Sequence, residues 1–262
     1  MKAVSWPAIL ESYGNSVDLL SADTKTLQLL VLNESLHILD IRNTTKSFSI
    51  IVPRKGADNS EVESLPEPTY VVPKIKWYEQ MVYHQFMVEK ADSAVNIEVG
   101  PTNPDSELLL FIKHREKPMY DFFDILIPLK AVKSKLSDTF DIFLSNQVIN
   151  NRTGFFYAGV VEVNKSQLLE SSEAYLLEQI IINENTSLSN YTAGASNYTL
   201  PGIMRDFTTN YSMRIFTSGC YFYDYHKKIW SADGCSVDSA NQLMTHCKCN
   251  HCMSCLFVSF KK

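Results

Sequence analysis

The sequence predicts a mainly β protein, an antiparallel β-sandwich with at most one or two short helices. Three observations lead there. Short runs rich in β-branched, aliphatic and aromatic residues recur along the chain, separated by compact turn signals. No long helical patterns alternate with them, as the parallel sheet of an α/β protein would require. All six cysteines lie between 220 and 255, so any covalent cross-linking is confined to the C-terminal end.

Taken in order, Ser16 to Pro53 reads as strands. TLQLLVL, LHILDI and KSFSIIVP are separated by polar turns at Asn33-Glu34 and Asn43-Thr44-Thr45. Residues 54–70 are polar and carry prolines, which predicts a loop or linker. Strand signals resume with WYEQMVYHQFMVE, AVNIEVGP and ELLLFIKH. The joints are Ala91-Asp92-Ser93 and Pro101-Thr102-Asn103-Pro104-Asp105, the second rich in residues that favour turns. A mixed stretch runs to about Ser137, followed by FDIFLS and GFFYAGVVEV. Residues 166–182 are the one good helical candidate: Leu168, Leu169, Tyr175, Leu176 and Ile180 can share a face. The run Ile180-Ile181-Ile182 also suits a strand. NENTSLSNYTAGASNYT then predicts an exposed loop.

A chain of 262 residues fits one large domain or two small ones, and is long enough to build an apolar core. The net charge of −5 and pI near 5.7 argue against a nucleic-acid partner. Asn-x-Ser/Thr sequons occur at Asn33, Asn43, Asn151, Asn164, Asn185, Asn190, Asn197 and Asn210, where composition alone would give roughly three. Together with clustered cysteines they predict an oxidising, extracellular or lumenal compartment. MKAVSWPAILESYG lacks the apolar run of a secretory signal, and no stretch approaches the length of a membrane-spanning helix. The chain therefore reads as a piece cut from a larger protein, with Lys261 and Lys262 at the cut.

The C-terminal segment carries a resemblance. Cys220-x-Phe-x-Asp224, Ile229-Trp230-Ser231, Gly234-Cys235 and Cys247-x-Cys249-x-His251 resemble the GPS motif that closes a GAIN domain, found outside the membrane in adhesion G-protein-coupled receptors and polycystin-1-like proteins. HQFMVEKADSAVNIEVGPTNP, ELLLFIKHREKPMYDFFD and TGFFYAGVVEV are similar to strands of the polycystin branch. The resemblance implies a GAIN subdomain B-like sandwich body over 1–206, with 207–260 as a GPS integral to the same domain. It implies disulfides Cys220–Cys247 and Cys235–Cys249, with Trp230 packed near them and Gly234 structural. In the chain-entropy account each bridge contributes about 3–4 kcal/mol. It also implies a place on the extracellular face of a plasma or ciliary membrane, as part of a larger membrane protein, with a polycystin-2-like channel subunit as a possible partner. No cofactor is implied.

The family's chemistry is self-cleavage. A His takes the proton of a Thr or Ser hydroxyl two residues on, and that oxygen attacks the preceding carbonyl to form an ester that water releases. Here the triplet is His251-Cys252-Met253. The base position is filled, but the Met253 thioether has no proton to lose. The Cys252–Met253 bond is therefore expected to stay intact, the chain to be no enzyme, and the last strand, about Ser254 to Phe260, to sit inside the sandwich as a continuous part of it. Ser254 on the next bond, or Cys252 on the carbonyl of His251, are the alternative nucleophiles. A one-residue slip in a strand would turn Ser254 to the opposite face.

Cys252 and Cys255 depart from the family pattern. C-x-C-x-H-C-x-x-C (Cys247, Cys249, His251, Cys252, Cys255) has the donors of a zinc site, a further alternative that competes with the disulfides for the same sulfurs. In an extended strand the Cα atoms of Cys252 and Cys255 would stand about 10 Å apart, too far for a disulfide without a local kink. Buried free thiols are the other reading. His37, His84, His114, His226 and His246 share no spacing and read as structural or surface residues. Lys227-Lys228 reads as a solvated turn.

Overall fold

The computed structural model describes residues 2–6, 26–30, 44–53, 66–74, 81–129, 139–164, 181–182, 192–193, 204–224, 227–241, 244–251 and 255–260. In chain order the strands are β1 (Lys2–Trp6), β2 (Thr26–Leu30), β3 (Phe48–Pro53), β4 (Thr69–Val71), β5 (Val82–Val88), β6 (Ala94–Pro101), β7 (Glu107–His114), β8 (Ile125–Pro128), β9 (Phe140–Leu144), β10 (Gly154–Val163), β11 (Ile181–Ile182), β12 (Thr192–Ala193), β13 (Met204–Arg205), β14 (Tyr211–Asp224), β15 (Ile229–Ser231), β16 (Cys235–Ala240), β17 (Met244–Cys249) and β18 (Cys255–Phe260). There is no α-helix among the described residues.

An eight-stranded sheet runs β1-β2-β18-β14-β6-β9, with β15 and β4 also on β14. A seven-stranded sheet runs β12-β11-β8-β7-β10-β13, with β5 also on β10. A small sheet, β16-β17-β3, completes the set. All pairings are antiparallel except β11 with β12. The expected fold class is thus the observed one.

The core lies between the two large sheets. Val95, Ile97 and Val99 of β6 and Ile142 of β9 meet Leu110 of β7 and Val160 of β10 there. Strand β7 is buried along nearly its whole length because its outer face is covered too: Leu109 and Phe111 pack with Met81, Phe123 and Leu126. That explains why ELLLFIKH is a continuous apolar run rather than an alternating one. The two sheets are also joined by polar contact. The Tyr211 hydroxyl, at the start of β14, lies 2.9 Å from Nε2 of His84 on β5. Burial lowers the pKa of His84 and raises that of Tyr211, so both groups are held neutral.

Buried charges are paired. Glu98 and Arg214 face each other across β6 and β14 in register and form an ion pair. Glu162, fully buried on β10, is paired with Arg205 of β13 and accepts the Thr208 N–H at 2.6 Å. Asp124 accepts from Arg152 at 2.9 Å and from the His114 N–H at 3.0 Å. Left without partners, these carboxylates would cost several kcal/mol each.

The structure departs from the expected elements in several places. The mixed stretch before Ser137 holds a fully buried strand, β8, whose four residues ILIP are too few to show a period. The polar linker ends sooner than expected, because Thr69–Val71 adds to β14 as β4. Ile181–Ile182 is strand, not the end of a helix, and pairs with β8. The rest of the helical candidate, 166–180, lies outside the described residues, as do LHILDI and most of the loop at 183–199.

Candidate functional site

Strand β14 is the scaffold of the C-terminal site. Its first half pairs with β6, and its second half pairs with β18 and β15. The turn from β14 to β15 places Lys228 at φ 55°, and the Lys227 N–H donates to Asp224 Oδ1 at 3.1 Å. Trp230, 6 % exposed, stands opposite Tyr223 in this hairpin. The chain then turns through Ala232-Asp233-Gly234, closed by the Cys235 N–H on the Ala232 carbonyl at 2.9 Å. Gly234 has φ 70°, a left-handed conformation that a side chain disfavours.

Cys235 opens β16 and stands directly opposite Cys249 at the end of β17; the two are disulfide-bonded with Cα atoms 4.1 Å apart. Cys220 of β14 is bonded to Cys247 of β17, Cα atoms 5.8 Å apart. The small sheet is thereby fastened to the long strand. Ile50, Val52, Ala94 and Val237 pack around the buried sulfurs. Both expected disulfides are present. Cys247 and Cys249 therefore offer no thiolate to a metal, which removes two of the donors on which the zinc alternative rested.

His251 follows the clasp. Its ring meets Phe222 edge-on, with centroids 4.3 Å apart and planes at 83°. Its Nδ1 lies 2.9 Å from Asn250 Oδ1. The Asn250 backbone is tied on both sides: its N–H donates to the Gly234 carbonyl at 2.9 Å, and its carbonyl accepts from the Thr44 N–H and Thr44 Oγ1, each at 2.8 Å. A Cβ on Gly234 would stand 2.2 Å from Asn250 Oδ1 and 2.8 Å from His251 Nδ1, so only glycine leaves room for this pair. Cys252, Met253 and Ser254 lie outside the described residues. Beyond them, the backbone of β18 is paired on one side with Gly219–Phe222 of β14 and on the other with Leu27–Leu29 and Thr26 of β2.

Residues 196–256 match the family model for GPS, GAIN subdomain B. This part of the chain is similar to a GAIN/GPS domain, and the matched GPS stretch contains β14 to β17, both disulfides, Trp230 and His251. No curated protein matches the chain. Among solved structures, the crystal structure of the infectious bursal disease virus VP2 subviral particle is similar at 10% identity and a TM-score of 0.24. That alignment covers 99% of this chain and 58% of the viral one, so this chain spans little more than half its length, and a likeness so slight carries no argument.

Of the sequon asparagines, Asn151 is exposed in a turn at φ 51°, its Oδ1 accepting from Asn146 Nδ2 at 3.0 Å. Asn164 is half-buried just after β10. Asn210 is half-buried, its carbonyl accepting from Thr102 Oγ1 at 2.9 Å. Asn33, Asn43, Asn185, Asn190 and Asn197 lie outside the described residues. His84 and His114 serve packing and hydrogen bonding, the latter with Nε2 2.7 Å from the Thr153 carbonyl. Sequence reasoning missed Thr44 and Asn250. Asn250 could have been noticed for its place beside His251, but nothing local signals Thr44, 206 residues away in the chain.

Proposed function

We propose that this chain is the extracellular juxtamembrane GAIN/GPS module of a polycystin-1-like membrane protein. It links an ectodomain to a membrane region and remains covalently continuous through residues 252–254. On this reading the sequons carry glycans, the membrane is plasma or ciliary, and a polycystin-2-like channel subunit is the candidate partner of the whole protein. The supporting observation is that the stretch matched as GPS coincides with the disulfide clasp, and that the strand after His251 is built into the sheet by pairing on both edges. Continuity follows from chemistry. The position of the attacking hydroxyl is held by Met253, whose sulfur has no proton for His251 to remove.

The test is a denaturing, reducing gel of the protein secreted from mammalian cells, tagged at both ends and freed of glycans. The expected result is one full-length band carrying both tags. A C-terminal fragment beginning at Cys252 or at Ser254 would overturn the reading and implicate that residue as the nucleophile. Met253→Thr supplies the missing hydroxyl and is expected to release a fragment that begins at residue 253.

A further inference from the structure

The His251 ring is held between Asn250 and Phe222. The Asn250 backbone is fixed beside the ring, its N–H bonded to Gly234 and its carbonyl to Thr44 twice over. Its Oδ1 is 2.9 Å from His251 Nδ1, and an amide oxygen only accepts. The contact is a hydrogen bond only when Nδ1 carries the proton. We propose that Asn250 is a positioning residue that fixes neutral His251 as the Nδ1–H tautomer, placing the ring's lone pair on Nε2. A free neutral imidazole prefers the opposite arrangement, so the preference has to be imposed. Gly234 makes the imposition possible, since any Cβ there would occupy the space of Asn250 Oδ1. Phe222, edge-on at 4.3 Å, limits rotation of the ring that would break the bond.

The consequence concerns which nitrogen can act. Nδ1 is committed to Asn250, so any proton that this ring takes from a neighbouring hydroxyl or thiol must go to Nε2, across the ring. This bearing on cleavage rests on the reading of His251 as the base position; the tautomer itself does not. The site would then have retained an oriented base while losing the hydroxyl on which that base acts.

The test is a long-range 1H–15N correlation spectrum of the full chain labelled at histidine. It is recorded well above the ordinary imidazole pKa of about 6.5, with the His251 signals assigned by their loss in His251→Gln. The expected spectrum has a protonated-type nitrogen at Nδ1 and an unprotonated-type nitrogen at Nε2. Asn250→Ala is expected to transfer the proton to Nε2, and Asn250→Asp, which keeps an acceptor in place, to return it to Nδ1. An unprotonated Nδ1 in the parent would overturn the proposal, as would an Asn250→Ala variant with both disulfides intact and an unchanged spectrum. If that variant fails to fold, the parent spectrum decides alone. The gel reads a peptide bond and the spectrum reads a proton, so the two claims can fail separately.

Discussion

Gly234→Ala tests the turn on which the clasp depends. Two costs can be worked from the structure. At φ 70° an alanine would pay for the left-handed region, about 1–2 kcal/mol. Its Cβ would also lie 2.2 Å from Asn250 Oδ1, closer than any real contact, so the Asn250 side chain must move and its hydrogen bond to His251 is lost, about 0.5–1.5 kcal/mol more. The expected loss is about 1.5–3.5 kcal/mol. At about 2–4 °C per kcal/mol for a chain of this size, Tm should fall by roughly 3–14 °C. Thermal unfolding followed by circular dichroism, with both disulfides verified by non-reducing peptide mapping, measures it. Gly234→Asn separates the two costs, because asparagine tolerates the backbone conformation but keeps the Cβ. A Gly234→Ala protein within about 0.5 kcal/mol of the parent, the range of an indifferent surface change, would refute both the turn conformation and the crowding against Asn250.

Two further outcomes follow from the core. Burial depresses the pKa of His84 below its unfolded value, so its neutral form contributes stability above about pH 6.5 that is lost as the pH falls through the folded pKa. His84→Phe should flatten this acid limb in a series of denaturant titrations, and an unchanged slope would show that His84 is not held neutral. Leu110→Ala, at a fully buried position between the sheets, should cost about 2–5 kcal/mol by chemical denaturation.

Strands β6, β7 and β10 were legible because each is long and apolar between clear turns, and their observed bounds match the runs read from the sequence. β8 was hidden because four residues cannot display a period, and β1 because MKAVSW offers no alternation. The clasp was legible through resemblance, not geometry. That Cys235 faces Cys249 depends on the register of β16 with β17, which shifts at an irregularity between Val237 and Ser239. No spacing rule anticipates such a shift. The cradle of His251 was half visible: Gly234 and Phe222 lie in quoted motif steps, whereas Thr44 reaches Asn250 from the far end of the chain and only folding brings them together.

The double-sided pairing of β18 has a kinetic consequence. A strand at the edge of a sheet can be peeled off one hydrogen bond at a time, each step costing little. β18 is hydrogen-bonded to β14 and to β2 over overlapping residues, 257 and 258 being shared by both ladders. Drawn out along its axis, it must shear both ladders together, so its removal is a single cooperative rupture with no cheap first step. The lifetime of the seated strand is then set by one barrier, which any change in either ladder would raise or lower as a whole.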